Sequence, residues 1–204
     1  MKINTNNWNK IRYTLYTPGY DLLGRLLNES RKKSIDSLEI RPDDKVLIVG
    51  AGTGLDLEFI SADCDITATD ITPSMINKLR NRNSRLKRRV RSLVMDGQSL
   101  KFRENSFDFV ILHLILAVIP DPSKCLQEAE RVLRKGGQIA VFDKFVAKGK
   151  QVSRIRRSAN LLTNFLSSDI TRDFESILEC TQLKVISDEK ADFDGIFRLI
   201  KLVK

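Results

Sequence analysis

Val46-Leu47-Ile48-Val49-Gly50-Ala51-Gly52-Thr53-Gly54 is an apolar run that stops in three alternating glycines. It reads as a buried parallel strand followed by a tight turn into a helix. Only glycine both permits such a turn and lets a ligand approach the backbone N–H groups. The spacing is G-x-G-x-G; a dinucleotide fingerprint would place Gly or Ala at position 55, where Leu55 stands. Taken alone, the triplet is equally a plain strand-to-helix turn, so the residues downstream decide.

Sixteen residues beyond Gly54, the short strand-like run 65–70 closes on Asp70. A carboxylate there suits the two ribose hydroxyls of a nucleoside laid across the carboxyl ends of the strands. Residues 90–95 form a third such run ending in Asp96-Gly97-Gln98, where an acid and backbone N–H groups can hold an adenine edge. Residues 107–112 are nearly all apolar, as a central strand covered on both faces should be, and deliver His113 to the same end. Pro120-Asp121-Pro122 opens a helix over 123–133 that Gly136-Gly137 stops, and 138–142 makes a fifth strand ending in Asp143-Lys144-Phe145.

The segments VLIVGAGTG, ATDITPSMI, VMDGQ, FRENSFDFVILHLILAVIPDP and EAERVLRKGGQIAVFD follow one another over positions 41–145. Together they resemble the class I S-adenosylmethionine-dependent methyltransferases, in the branch with ubiquinone-type and phospholipid-type enzymes. The resemblance implies an α/β, doubly wound, mostly parallel seven-stranded Rossmann-like sheet with an N-terminal helical lid. It implies S-adenosylmethionine as cofactor and S-adenosylhomocysteine as product. Gly50, Ala51, Gly52 and Gly54 would approach the methionine portion, and Asp70 the ribose. Ile71 and Met75 would pack on the adenine, with Asp96, Gly97 and Gln98 at its edge and His113 near the methyl group. Ile71 and Met75 could equally be ordinary core positions. The family usually carries an acid where Ile48 stands, so contacts around the methionine portion should be weaker here.

The 204 residues suit one domain, with 1–40 a helical cap and 41–204 the core. Trp8, Ile11, Leu15, Leu22, Leu23, Leu26 and Leu27 recur near helical spacing, and Pro18-Gly19 splits them into two helices that should bury their apolar stripes. A sharper reading makes this cap a lid that also meets a lipid interface through its aromatic residues and cations. Residues 13–21, YTLYTPGYD, resemble the Y-x-x-x-A-P-x-Y-D segment of bacterial phospholipid N-methyltransferases, although Thr17 and Gly19 depart from it. Further elements are expected at 56–60, 73–79, 153–166 and 171–180 as helices and at 183–187 and 195–203 as strands, and the family resemblance implies that these two strands form an antiparallel edge pair.

The formal net charge is +9, concentrated at 31–33, 80–91 and 154–157. Such clusters attract anionic membrane lipids or nucleic acid, or are plain solvated surface. Nucleic acid is disfavoured as substrate, because His113-Leu114-Ile115-Leu116 replaces any N-P-P-Y-type motif. Cys64, Cys125 and Cys180 are scattered and His113 is the one histidine, a pattern without a metal site. The first residues carry no signal-peptide core, so a cytoplasmic location is expected, with peripheral membrane contact. Tyr13, Tyr16, Tyr20, Asp143 and Lys144 are candidates for binding the methyl acceptor, with Tyr20 and His113 as catalytic candidates. His113 would act as a base or only touch the cofactor. The acceptor is read as a phosphatidylethanolamine-type amine, with a soluble small-molecule amine, thiol or hydroxyl as alternative. A non-catalytic cofactor-binding protein is the rival of another class.

Overall fold

The computed structural model of the chain describes residues 4–16, 21, 24–60, 63–145, 172–192 and 196–204. Seven strands, β1 (Lys45–Val49), β2 (Asp65–Asp70), β3 (Val90–Val94), β4 (Phe107–His113), β5 (Leu133–Lys144), β6 (Lys184–Lys190) and β7 (Phe197–Val203), form one sheet. Their order is β3-β2-β1-β4-β5-β7-β6. The first five run parallel, and β7 lies antiparallel between β5 and β6. Strand order reverses between β1 and β4, which opens a crevice at their carboxyl ends. This is the doubly wound sheet expected from the sequence.

Two apolar clusters cover the sheet, one on each face. Leu47 and Val49 belong to the first with Val110, Leu112, Ile139 and Val141; Val46 and Ile48 belong to the second with Ile111 and Ala140. The period of two along β1 thus sends alternate side chains to opposite faces. Five α-helices stand among the described residues: α1 (Asn6–Tyr16), α2 (Asn28–Asp36), α3 (Pro73–Leu86), α4 (Pro122–Val132) and α5 (Phe174–Leu178). Leu126, Ala129 and Val132 of α4 close the first cluster, and Ile35 of α2 with Leu79 of α3 the second. Ile48, in place of the family's usual acid, is 1% exposed in this second cluster.

Several elements differ from their expected form. The chain after Gly54 makes one 3-10 turn, Leu55–Glu58, instead of a helix over 56–60. Asp56 is drawn into the core by Arg31 and Glu58 outward to Arg82, which leaves a single tight turn. Helix α3 continues seven residues past 79, until Lys87 adopts a left-handed conformation at φ 53°. Gly136 and Gly137 do not stop a helix; α4 ends at Val132 and β5 begins at once. Pairing slips between Phe107 and Phe109, and Gly136, at φ 76°, takes up the extra length. The expected helix at 153–166 lies outside the described residues, and α5 occupies only part of 171–180.

The apolar stripe of α1 is not buried. Ile11 and Leu15 are 56% and 72% exposed, whereas Asn9 and Arg12 are buried. The inward side is held by polar bonds: Asn4 and Asn9 each donate to the carbonyl of Val118, and Arg12 donates to Asn9. On the opposite border, β6 leaves nearly all its side chains exposed. Arg198 joins β7 to α5 and β6 through Glu175 and Asp188, and lies over the Phe145 and Phe174 rings.

Candidate functional site

One cavity lies at the carboxyl ends of β1, β2, β3 and β4. Among its walls are Gly52, Asp70, Ile71, Met75, Asp96 and Gly97, with Tyr13 reaching in from α1. Seven of the residues singled out from the sequence therefore share one space. Ala51, Gly50, Gly54 and Gln98 stand just behind it. Ala51 N–H donates to Thr69 O, and Gln98 donates through its backbone N–H and its Nε2 to Asp96.

The three glycines of the first turn all have positive φ, but they do different things. Gly52 faces the cavity. A Cβ at Gly50 would come within 2.7 Å of Ile115, and one at Gly54 within 2.9 Å of Leu79. Bare backbone is thus required at Gly50 by the loop after β4, and at Gly54 by α3.

Asp70 is half-buried and takes two backbone donors. Oδ2 accepts from Gly52 N at 2.9 Å, and Oδ1 from Thr72 N at 2.8 Å. Burial raises its pKa above the ordinary carboxylate value, against the pull of Thr72 and Gly52. Each oxygen keeps a further lone pair, so the carboxylate can accept from a vicinal diol. Asp96 stands across the cavity with Gly97 beside it, and Met75 and Ile71 supply apolar walls between them. This donor and acceptor set fits a nucleoside, with the diol at Asp70 and a base edge at Asp96.

Asp21 belongs to the YTLYTPGYD segment and ties it to the glycine turn. Its carboxylate accepts from Thr53 Oγ1 at 2.5 Å and from Arg82 at 2.6 Å. Tyr20, and the side chain of Tyr16, lie outside the described residues.

His113, Asp143 and Lys144 do not line the cavity. His113 is 3% exposed and turns toward α2, with Nδ1 2.9 Å from Asp56 Oδ1 and Nε2 3.0 Å from Ser34 Oγ. Burial would push the Asp56 carboxyl up, but Arg31 at 2.7 Å and then His113 outweigh it and hold the pKa well below the carboxylate range. An ionised Asp56 only accepts, so Nδ1 carries a proton. Ser34, His113 and Asp56 thus stand in the order of a nucleophilic triad, but none of them is more than 4% exposed and Arg31 shares the acid. The cluster clamps α2 to the sheet. Its geometry corrects the reading of His113 as a base beside the acceptor, since both ring nitrogens are spent on this clamp.

Asp143 is likewise inward. It accepts from Ala117 N at 2.9 Å and from Lys144 N at 2.8 Å, holding the loop after β4. Burial raises its pKa, and burial lowers that of Lys144, whose ammonium lies 5.6 Å over the Phe197 ring. Neither side chain is placed to receive an acceptor in the cavity.

Six wall residues were not singled out in the sequence: Asn6, Asn9, Leu114, Ile115, Val118 and Ile119. Leu114 takes φ 58°, a left-handed conformation rare for a leucine, at the turn between buried His113 and the cavity wall that starts at Leu114 itself. The 115, 118, 119 spacing was a usable signal for one apolar face. The asparagines gave none, because a polar residue in a cap helix is expected to face water.

His113→Ala should lower stability by about 2–4 kcal/mol, through a buried void and orphaned partners, read as a shift in urea midpoint. The pH profile of turnover at saturating substrates should keep its wild-type shape. A changed profile would restore the base role.

A family model described as a methyltransferase domain matches residues 47–141. The phosphatidylethanolamine N-methyltransferase of Cereibacter sphaeroides is 25% identical over 185 residues, 89% of this chain and 91% of that protein. A demethylmenaquinone methyltransferase of Renibacterium salmoninarum is 30% identical over 62% of this chain, which spans about half the relative's length, 54%. Among solved structures, the geranyl diphosphate C-methyltransferase of Streptomyces coelicolor, in complex with S-adenosyl-L-homocysteine, superposes with a TM-score of 0.73. That likeness has 16% identity and covers 89% of this chain and 80% of the other.

Proposed function

We propose that this chain, a class I S-adenosylmethionine-dependent methyltransferase, transfers a methyl group to the head-group amine of a phosphatidylethanolamine-type phospholipid. The observation that carries this reading is the two-sidedness of α1. Asn6, Asn9 and Tyr13 line the cavity, while Ile11 and Leu15 stand bare on the outer side. Leu26, 71% exposed beside Arg25, is a further bare apolar side chain, and Lys10 adds a cation on α1. A helix of this kind can rest in a lipid interface while its other side frames the place where a head group meets the cofactor. The net charge of +9 favours an anionic surface. No helix among the described residues is long and apolar enough to cross a membrane, so the contact would be peripheral. The Cereibacter relative, aligned over nearly its whole length, supports the same substrate class.

S-adenosylmethionine would supply an electrophilic methyl group on sulfur, which leaves as the neutral thioether without an acid. The neutral amine attacks through its lone pair, and the ammonium product sheds its extra proton to solvent. The chain's part is then to orient the reactants. Asp70 would hold the sugar, Asp96 and Gly97 the base, and Gly52 would present bare backbone to the amino-acid tail. Leu114, Ile115, Val118 and Tyr13 wall off the acceptor side.

The test is transfer of labelled methyl groups into liposomes of phosphatidylethanolamine with an anionic lipid, run beside soluble amines, thiols and hydroxyl compounds. Label is expected in the lipid, with the protein floating on the same liposomes. Label in a soluble acceptor and none in lipid would overturn the substrate reading.

A further inference from the structure

Asn6 Nδ2 donates to Asp96 Oδ2 at 2.6 Å, and Asn6 Oδ1 accepts from Gln98 Nε2 at 3.1 Å. Ninety residues separate Asn6 from Asp96, so this is a tertiary contact and not a local turn. A carboxamide presents an N–H donor and a carbonyl acceptor side by side in one plane. The pairing edge of adenine presents an amino donor and a ring-nitrogen acceptor in the same arrangement. The Asp96 and Gln98 side chains complement either one.

We propose that Asn6 is an internal stand-in for the adenine base: it closes α1 over the cavity by occupying the base edge, and the cofactor's adenine displaces it. This rests on the reading that Asp96 marks the base end of the cofactor site. Gln98 and Asp96 form a fixed wall. Gln98 Oε1 accepts from Asp121 N at 2.8 Å, and Asp96 Oδ1 accepts from Gln98 N at 3.0 Å. Asn6, the first residue of α1, is the partner that can leave. With the helix so placed, the cavity measures about 50 Å³, far below the roughly 300 Å³ at the small end of ligand pockets. Admission of a nucleoside therefore requires α1 to swing outward, and its first point of release is the contact that the base replaces. Cofactor affinity and the position of the lid are linked in both directions.

The test is calorimetric titration of the full chain with S-adenosylhomocysteine, for wild type, Asn6→Ala, Asn6→Ser and the double variant Asn6→Ala with Asp96→Ala. Both Asn6 variants should bind roughly tenfold more tightly than wild type, because the ligand no longer has to break a charge-assisted hydrogen bond. Adenosine, which has base and sugar alone, should show the same gain, and adding Asp96→Ala to Asn6→Ala should weaken binding again, since only the bond to the base is then lost. Unchanged or weaker binding by the Asn6 variants, with the added Asp96→Ala change still weakening it, would overturn the stand-in and leave the site reading intact. No loss of affinity on adding Asp96→Ala to Asn6→Ala would remove the base-end reading itself, and the stand-in with it.

Discussion

Asp70→Asn weakens S-adenosylhomocysteine binding roughly 100-fold or more, while circular dichroism shows the fold retained. This is the expected outcome of removing a carboxylate that can accept two sugar hydroxyls, each bond to a charged acceptor being worth about 1.5–3 kcal/mol. The amide keeps the volume and, with its oxygen on Gly52 N–H, the link between β2 and the glycine turn, while its NH2 gives up the bond from Thr72 N–H. The pH dependence carries the same signature. Burial raises the pKa of Asp70, so the acceptor is protonated at a pH where an ordinary carboxylate would still be ionised. Wild-type affinity should therefore fall on the acid side above the usual value of 3.8, and Asp70→Asn should flatten that limb. Equal affinity of variant and wild type at neutral pH would remove Asp70 from the site.

Arg31→Ala is expected to cost about 3–5 kcal/mol, the penalty for leaving a buried carboxylate without its cation. For a chain of this size that corresponds to roughly 10 °C in melting temperature. The sign with pH follows from the direction of the Asp56 shift. Its folded-state pKa lies below the ordinary 3.8, so the stabilisation is fully present above that value and is lost as pH falls toward the folded value. Without Arg31, burial is opposed only by His113. The deficit of the variant should thus be widest at neutral pH and narrow below 3.8. Urea titrations at neutral and acid pH measure it; a deficit that stays constant across this range would show that Asp56 is not the group relieved.

Much of the fold was legible because its determinants are local. The runs 46–49 and 107–112 are short and apolar, 65–70 and 90–95 are short and strand-like, and each is closed by a polar residue or glycine, so strand ends and ligand side could be read together. The cofactor half of the candidate site followed from the same strand ends, which is why Gly52, Asp70, Ile71, Met75, Asp96 and Gly97 converge. What failed depends on tertiary geometry. His113 shares its face of β4 with Ile111, and the partners it meets there, Asp56 and Ser34, come from distant segments that no local pattern announces. Asp143 looked like a ligand because it ends a strand, yet two backbone N–H groups of its own loops claim it. Helix α1 reversed its expected orientation because its inward partners are a carbonyl and a carboxylate, Val118 and Asp96, which asparagine satisfies and leucine cannot.

The outer border at β6 carries a different consequence. Among the described residues β6 has no neighbour on one side, and such a strand offers its amides and carbonyls as a template for a foreign strand, to which Val185 and Ile186, 45% and 51% exposed, would add stickiness. Lys184, Asp188, Glu189 and Lys190 set charges on both flanks of that pair, and the slipped pairing between Val185 and Ser187 bends the ribbon. Together they guard the sheet against growing from copy to copy into a fibril, and stripping those charges would expose the seed of an aggregate.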